Sequence, residues 1–151
     1  MNKYVETLRT FLIEGNPYAK KTGVDLLEAE PRRVKLAFPC DSTNFNPFGS
    51  YHAGALFTFG ETAAAALLAM TFDLTRFQML VRNGSIRYLK QVRDEITVEA
   101  SFPEQEAKKI EERLLSLGKL DVPMTVQMTN KVGEIVCEFS CSFYLRIPKA
   151  S

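Results

Sequence analysis

Between Ala53 and Met70 the usual alternation of apolar and polar residues disappears: only Thr58, Glu61 and Thr62 are neither apolar nor glycine. A surface helix carries an apolar stripe and a charged face, whereas a helix apolar all round is buried. Ala, Leu and Met favour helix, and no proline follows Pro47 within Asn46 to Met70. The pattern predicts a buried central helix with one carboxylate, Glu61, in its middle. It is entered through a loop that holds the only histidine, His52. Burying an ionised carboxylate is costly unless something pairs it or uses it. Glu61 is therefore the first candidate for chemistry.

The flanking segments have clearer periods. Tyr4, Val5, Leu8, Phe11, Leu12 and Ile13 recur at helical spacing, which predicts a short amphipathic helix over 3–14, stopped by Gly15-Asn16-Pro17. Two strands are expected over 23–30 and 32–39, broken at Pro31; in the second, Val34, Leu36 and Phe38 alternate with Arg33, Lys35 and Ala37. Residues 40–51 read as a loop. Further strands are expected over 77–89, 95–102, 124–129 and 134–147, with Asn130-Lys131-Val132-Gly133 as the hairpin turn between the last two. Ile110, Leu114, Leu115 and Leu117 mark a helix over 103–120 that ends near Gly118. Its KKIEER run, Lys108 to Arg113, reads as a solvated face. Strands joined by hairpins make an antiparallel sheet, so the fold class is α+β, with the sheet wrapped around one long helix and a second helix inserted between late strands. One sheet leaves open edges and cannot cover a helix on every side. Pairing of two copies edge to edge answers both needs and predicts a homodimer.

At 151 residues the chain suits a single domain, 1–151. Its 19 basic and 18 acidic residues leave a net charge of +1, without the basic excess of a nucleic-acid binder. The N-terminal MNKYVETLRTFLIEG has acids within its apolar pattern, unlike a signal peptide. The central stretch is about the ~20 residues of a membrane span. Its Ala and Gly content and its Glu61 favour a core helix, so no membrane is expected. Cys40, Cys137 and Cys141 include no CxxC pair. If Cys137 and Cys141 share a strand, they stand about 13 Å apart, too far for a disulfide. Three reduced cysteines point to the cytoplasm.

Asn46, Gly49, His52 and Gly54 converge on the start of the central helix, where free N–H groups and the helix dipole favour negative charge. A developing oxyanion could be held there. Glu61 lies about 13 Å further along the axis, so one chain cannot bring its own Glu61 to its own helix start. Two antiparallel helices in a dimer could. Gly54, Thr58 and Ala65, at i−7, i−3 and i+4 from Glu61, leave room beside it for a partner chain or a substrate.

Asn46-Pro-Phe-Gly49-Ser-Tyr-His52-Ala-Gly54, with Glu61 nine residues after the histidine, resembles the hotdog-fold acyl-CoA thioesterases, above all the phenylacetate-pathway type. The family motif reads N-x-x-G-x-x-H-G-G, followed by an acid at this spacing. SIRYLKQVRDEITVEA is similar to that family's strand pair, with Ile86, Tyr88 and Leu89 in its apolar places. The resemblance implies a hotdog fold and hydrolysis of an acyl-CoA thioester at a site shared by two subunits, in a dimer or a dimer of dimers. Glu61 would act as nucleophile or general base, and the Ala53 N–H would polarise the carbonyl. Asn46 would orient water or the carboxylate, and His52 would position the loop or the thioester. Gly49, Gly54, Thr58 and Thr62 would line the substrate, with Arg82 and Lys90 as candidates for the coenzyme A phosphates. No metal or cofactor is implied. Ala53 stands where the family prefers glycine, and Ala65 where some members carry Thr or Ser. These departures keep an acyl-ligand-binding module as the alternative. A dehydratase or hydratase is a further one, although its His-Phe-Pro-Gly run is absent.

Overall fold

The apolar run becomes α3, Ala53–Thr71, and a six-stranded antiparallel sheet packs across it. The computed structural model describes residues 2–149. The strands are β1 (Asp25–Glu30), β2 (Arg33–Phe38), β3 (Gln78–Tyr88), β4 (Ile96–Ser101), β5 (Lys119–Thr129) and β6 (Ile135–Arg146), in spatial order β1-β2-β4-β5-β6-β3. The helices besides α3 are α1 (Lys3–Arg9), α2 (Pro17–Thr22) and α4 (Glu104–Leu117). This is the hotdog fold: a sheet with one long helix against its inner face.

The alternation of β6 explains the packing. Cys137, Phe139, Cys141, Phe143 and Leu145 turn inward and are buried, while Ser140 and Arg146 stay exposed. The helix meets this row at Gly60. A Cβ there would lie 2.6 Å from Cβ and Cγ of Phe139, so only a glycine lets α3 come this close. Phe59 stacks on Phe38 at 4.9 Å between ring centroids, and Phe57 meets Phe139 edge-on at 4.9 Å. Thr58 and Thr62, the two hydroxyls of the apolar run, are buried and donate to the Gly54 and Thr58 carbonyls one turn back. Their polarity is thereby satisfied inside the helix.

Four sequence expectations are corrected. The helix over 3–14 is α-helical only to Arg9. Thr10–Glu14 form a π-helical turn, in which the Gly15 N–H bonds to the Thr10 carbonyl five residues back at 2.9 Å. Pro17 does not end a helix but begins α2, where its missing N–H costs nothing; the Asn16 side chain caps the Tyr18 and Ala19 N–H groups. The strand expected over 124–129 starts at Lys119: Pro123 stands in register opposite Ser142 of β6, and β4 pairs with β5 only at Thr97 and Thr129, so no ladder on the other side needs the missing N–H. Finally, α3 is not buried all round. Ala53 is exposed, and Phe57, Glu61, Ala65 and Ala69, at successive steps of four, are only half-buried. One winding stripe of α3 is left open in the protomer, and Glu61 is on it.

Other readings hold. Gly118 closes α4 in the left-handed region at φ 76°, and Gly133 does the same in the 130–133 hairpin at φ 83°. There the Asn130 side chain accepts from the Val132 and Glu134 N–H groups. Cys137 and Cys141 share β6 as unbridged thiols.

Candidate active site

The approach to α3 is a rigid turn built on Asn46. Its Oδ1 accepts from the Phe48 and Ser50 N–H groups at 2.9 and 3.3 Å, and its Nδ2 donates to the Ser50 hydroxyl at 2.9 Å. Its backbone N–H bonds to the Ser50 carbonyl at 2.7 Å. Gly49 completes the turn at φ 72°, a backbone region that strains any side chain. Ser50 is buried and accepts a further hydrogen bond from Gln91 at 3.1 Å. Asn46 therefore shapes the loop, and both ends of its amide are engaged in doing so.

His52 is the N-cap of α3. Its Nδ1 accepts from the Gly54 N–H at 2.9 Å, and its own N–H bonds to the Asn44 carbonyl at 2.7 Å. In this arrangement the neutral ring carries its proton on Nε2, which is free to point outward. Among the described residues, no acceptor engages the Ala53 N–H, and Ala53 is exposed. It is one of the unpaired donors that every helix start leaves. Opposite, the Tyr88 hydroxyl donates to the Ala53 carbonyl at 3.0 Å and ties β3 to the first turn of α3. Asn46, Ser50, Ala53, Leu56, Tyr88 and Lys90 border a small cavity of about 260 Å³.

Glu61 stands away from this cluster, about 13 Å along the axis from His52 by the helical rise. Among the described residues its carboxylate has no hydrogen-bond or ion-pair partner. Its charge reaches Cys141 on β6, where burial foremost, and Glu61 after it, push the thiol up to about 11. The inner face of β3 lies alongside: a Cβ on Gly84 would lie 3.0 Å from the Phe57 ring and 3.1 Å from Phe139.

The structure separates the remaining candidates. Gly54 is exposed beside the free Ala53 N–H. Thr58 and Thr62 are held by the helix backbone, and neither offers its proton to a ligand. Lys90 borders the small cavity and pairs with Glu134 at 2.6 Å. Arg82 sits at a bulge in β3 on the outer sheet face, bridged to Asp121 at 3.0 Å and lying over the Tyr144 ring. Arg82, a candidate for the coenzyme A phosphates, thus stands on the sheet face away from α3. Tyr88 escaped the sequence reading as a site residue because nothing in an apolar strand pattern shows which hydroxyl crosses to a helix. Among the described residues, no group of three His, Cys, Asp or Glu side chains is arranged to hold a metal ion.

A six-stranded antiparallel sheet around one long helix defines the hotdog class of fold. The chain belongs to the hotdog thioesterase superfamily, in the family described as Domain of unknown function (DUF4442), whose sequence model matches residues 6–145. It is 30% identical to a Pseudomonas aeruginosa protein of unknown function described as a probable thioesterase, over 95% of each chain with a TM-score of 0.87. A second P. aeruginosa thioesterase, solved as a mutant, shares the fold at 14% identity and TM-score 0.75, covering 95% of this chain and 94% of that one. The E. coli PaaI protein from the phenylacetic acid degradation operon does so at 18% identity and TM-score 0.72, covering 96% and 94%. No curated protein matches the chain.

Proposed function

We propose that the protein hydrolyses an acyl-CoA thioester as a homodimer, at sites where Glu61 of one chain faces the helix start of the other. One observation carries this reading: the half-exposed, unpartnered Glu61 carboxylate and the unengaged Ala53 N–H lie too far apart in one chain to act on one carbonyl. A two-fold axis between antiparallel α3 helices supplies the missing half of each site. Glu61 takes a proton from water as the oxygen adds to the thioester carbonyl, and the Ala53 N–H at the positive helix end stabilises the oxyanion. The oxyanion then collapses, the C–S bond breaks, and the departing thiolate takes the proton back from Glu61. The products are a free acid and coenzyme A. His52 holds the Gly54 N–H and so fixes the helix start, Asn46 fixes the loop, and Lys90 is placed to meet the phosphates. The three unbridged thiols suit a reducing cytoplasm.

The test is thiol release from a panel of acyl-CoAs, wild type against Glu61→Gln. We expect the variant to lose about 10²-fold or more in kcat while its thermal stability is unchanged, because the carboxylate has no partner to lose. Equal release by both proteins would remove Glu61 from the mechanism. No release by folded wild type would leave an acyl-binding module.

A further inference from the structure

A cavity of about 750 Å³ lies at the far end of α3, lined by Tyr4, Leu8 and Phe11 from the N-terminal segment and by Ala69, Met70 and Leu74. Its lining is mostly apolar, with Lys3, Thr7 and Thr75 as the polar members, and Tyr4 and Phe11 remain 50% and 56% exposed. A cavity of this size and character is within the range of small-molecule sites. Phe11 belongs to the π-helical turn, and such turns shift helical register, often at functional sites. Gly15 locks the turn, since a Cβ there would lie 2.8 Å from the Phe11 carbonyl oxygen.

The cavity opens on the same stripe of α3 that carries the reactive carboxylate, because Ala69 belongs to both. Glu61, Ala65 and Ala69 follow one another along the open stripe of α3, and the last two leave a trough because each carries only a methyl group. Each step of four residues turns about 40° around the helix, which carries the stripe from the β3 side toward α1. The axis advances about 12 Å from Glu61 to Ala69. An extended chain covers about 1.2 Å per bond, taken from some 3.6 Å per three-bond residue, so about ten bonds span the distance. The outer wall is α1, which packs on β1, the sheet edge opposite β3. Pairing through β3 therefore leaves that wall on the outer flank.

We propose that this cavity receives the distal part of an unbranched acyl chain of about ten carbons, running from the carbonyl at Glu61 along Ala65 and Ala69. The assignment rests on the thioesterase reading of Glu61 and names its substrate class as medium-chain aliphatic. Butyryl through octanoyl chains end in the trough, since seven bonds span only about 8.4 Å, whereas decanoyl chains reach the mouth at Ala69 and dodecanoyl chains enter the cavity.

The experiment uses the full chain, with Ala69→Phe and Thr7→Trp filling the cavity from two different elements, Thr7 also being part of its lining. The kcat/KM is measured for butyryl- through dodecanoyl-CoA, and the thermal shift given by free decanoate is measured separately. In wild type, each methylene that enters the cavity is expected to raise kcat/KM by up to about fourfold. Both variants should lower the dodecanoyl-to-butyryl ratio by at least about tenfold, as loss of two such methylenes requires, and abolish the decanoate shift. A flat wild-type profile, or a ratio unmoved in a folded variant, overturns the cavity assignment and leaves the thioesterase intact. If wild type hydrolyses none of the thioesters, the thioesterase reading fails, and decanoate alone decides. A shift lost in the variants then keeps the cavity as an acyl site, and no shift in wild type overturns it.

Discussion

His52, Asn46 and Glu61 look alike in sequence, as three polar residues around one helix start, but the structure gives them different work. His52 Nδ1 and the Asn46 amide oxygen are turned onto the backbone around them, at Gly54, Phe48 and Ser50, whereas Glu61 has no such partner among the described residues. The cysteines divide as sharply. Cys40 is exposed, whereas Cys137 and Cys141 are buried, with their thiols pushed up to about 11 by burial, and at Cys141 by Glu61 as well. An unfolded thiol titrates near 8.5, and below that pH both states hold the proton. Between about pH 9 and 11 the unfolded chain gives up protons that the folded chain keeps, so stability falls as pH rises, by roughly 3 kcal/mol for each thiol. Urea unfolding at pH 8 and pH 10.5 should show this loss, and the part due to the thiols should vanish in Cys137→Ala/Cys141→Ala. A loss unchanged in that variant would assign it to other groups, such as Tyr51, which burial also holds well above its ordinary value.

At the scale of elements, α3 is placed by what it lacks. Gly60 lets the helix backbone onto Phe139, and this close approach sets the depth at which Glu61 sits beside β6. Gly60→Ala would drive a methyl group into the base of the Phe139 side chain, which cannot swing aside as a side-chain tip could. The expected cost is about 3 kcal/mol, the upper end for overpacking in a well-packed core, read as a lowered urea midpoint with unchanged m-value. A midpoint within experimental error of wild type would show that helix and sheet can part without penalty. The N-terminal segment shows the opposite case: one helical period of apolar residues runs through both an α-helix and a π-turn, with Leu8 and Ile13 buried and Leu12 half-buried. Pro17 likewise reads as a breaker or as a first helical residue, and only the Asn16 cap decides.

At the scale of the whole molecule, β3 is the open edge. It pairs only with β6, and Leu80, Val81 and Tyr88 remain 55%, 43% and 49% exposed. A long apolar edge strand is a template for a second copy of itself. Pairing of two β3 strands places the open stripes of two α3 helices side by side, as the proposed shared site requires. Wild type is expected to elute as the proposed dimer in size-exclusion chromatography and Val81→Asp as a monomer with thiol release lowered at least about tenfold, since each site would lose its other half. Full activity in a monomeric variant would place the whole site within one chain.

Much of this was legible in the sequence, because periodicity reports burial directly. The apolar run, the alternation of β2 and β6, and the turns at Gly118 and Gly133 all record which side of its own element a residue occupies or which turn it makes. Tertiary structure alone decided the rest. That Arg82 turns outward, that Tyr88 holds the Ala53 carbonyl, that Thr58 and Thr62 are closed off within the helix, and that one stripe of α3 stays open with Glu61 on it depend on bulges, close approaches and sheet order. Those features come from side chains distant in the chain meeting across the fold, and no local period encodes them.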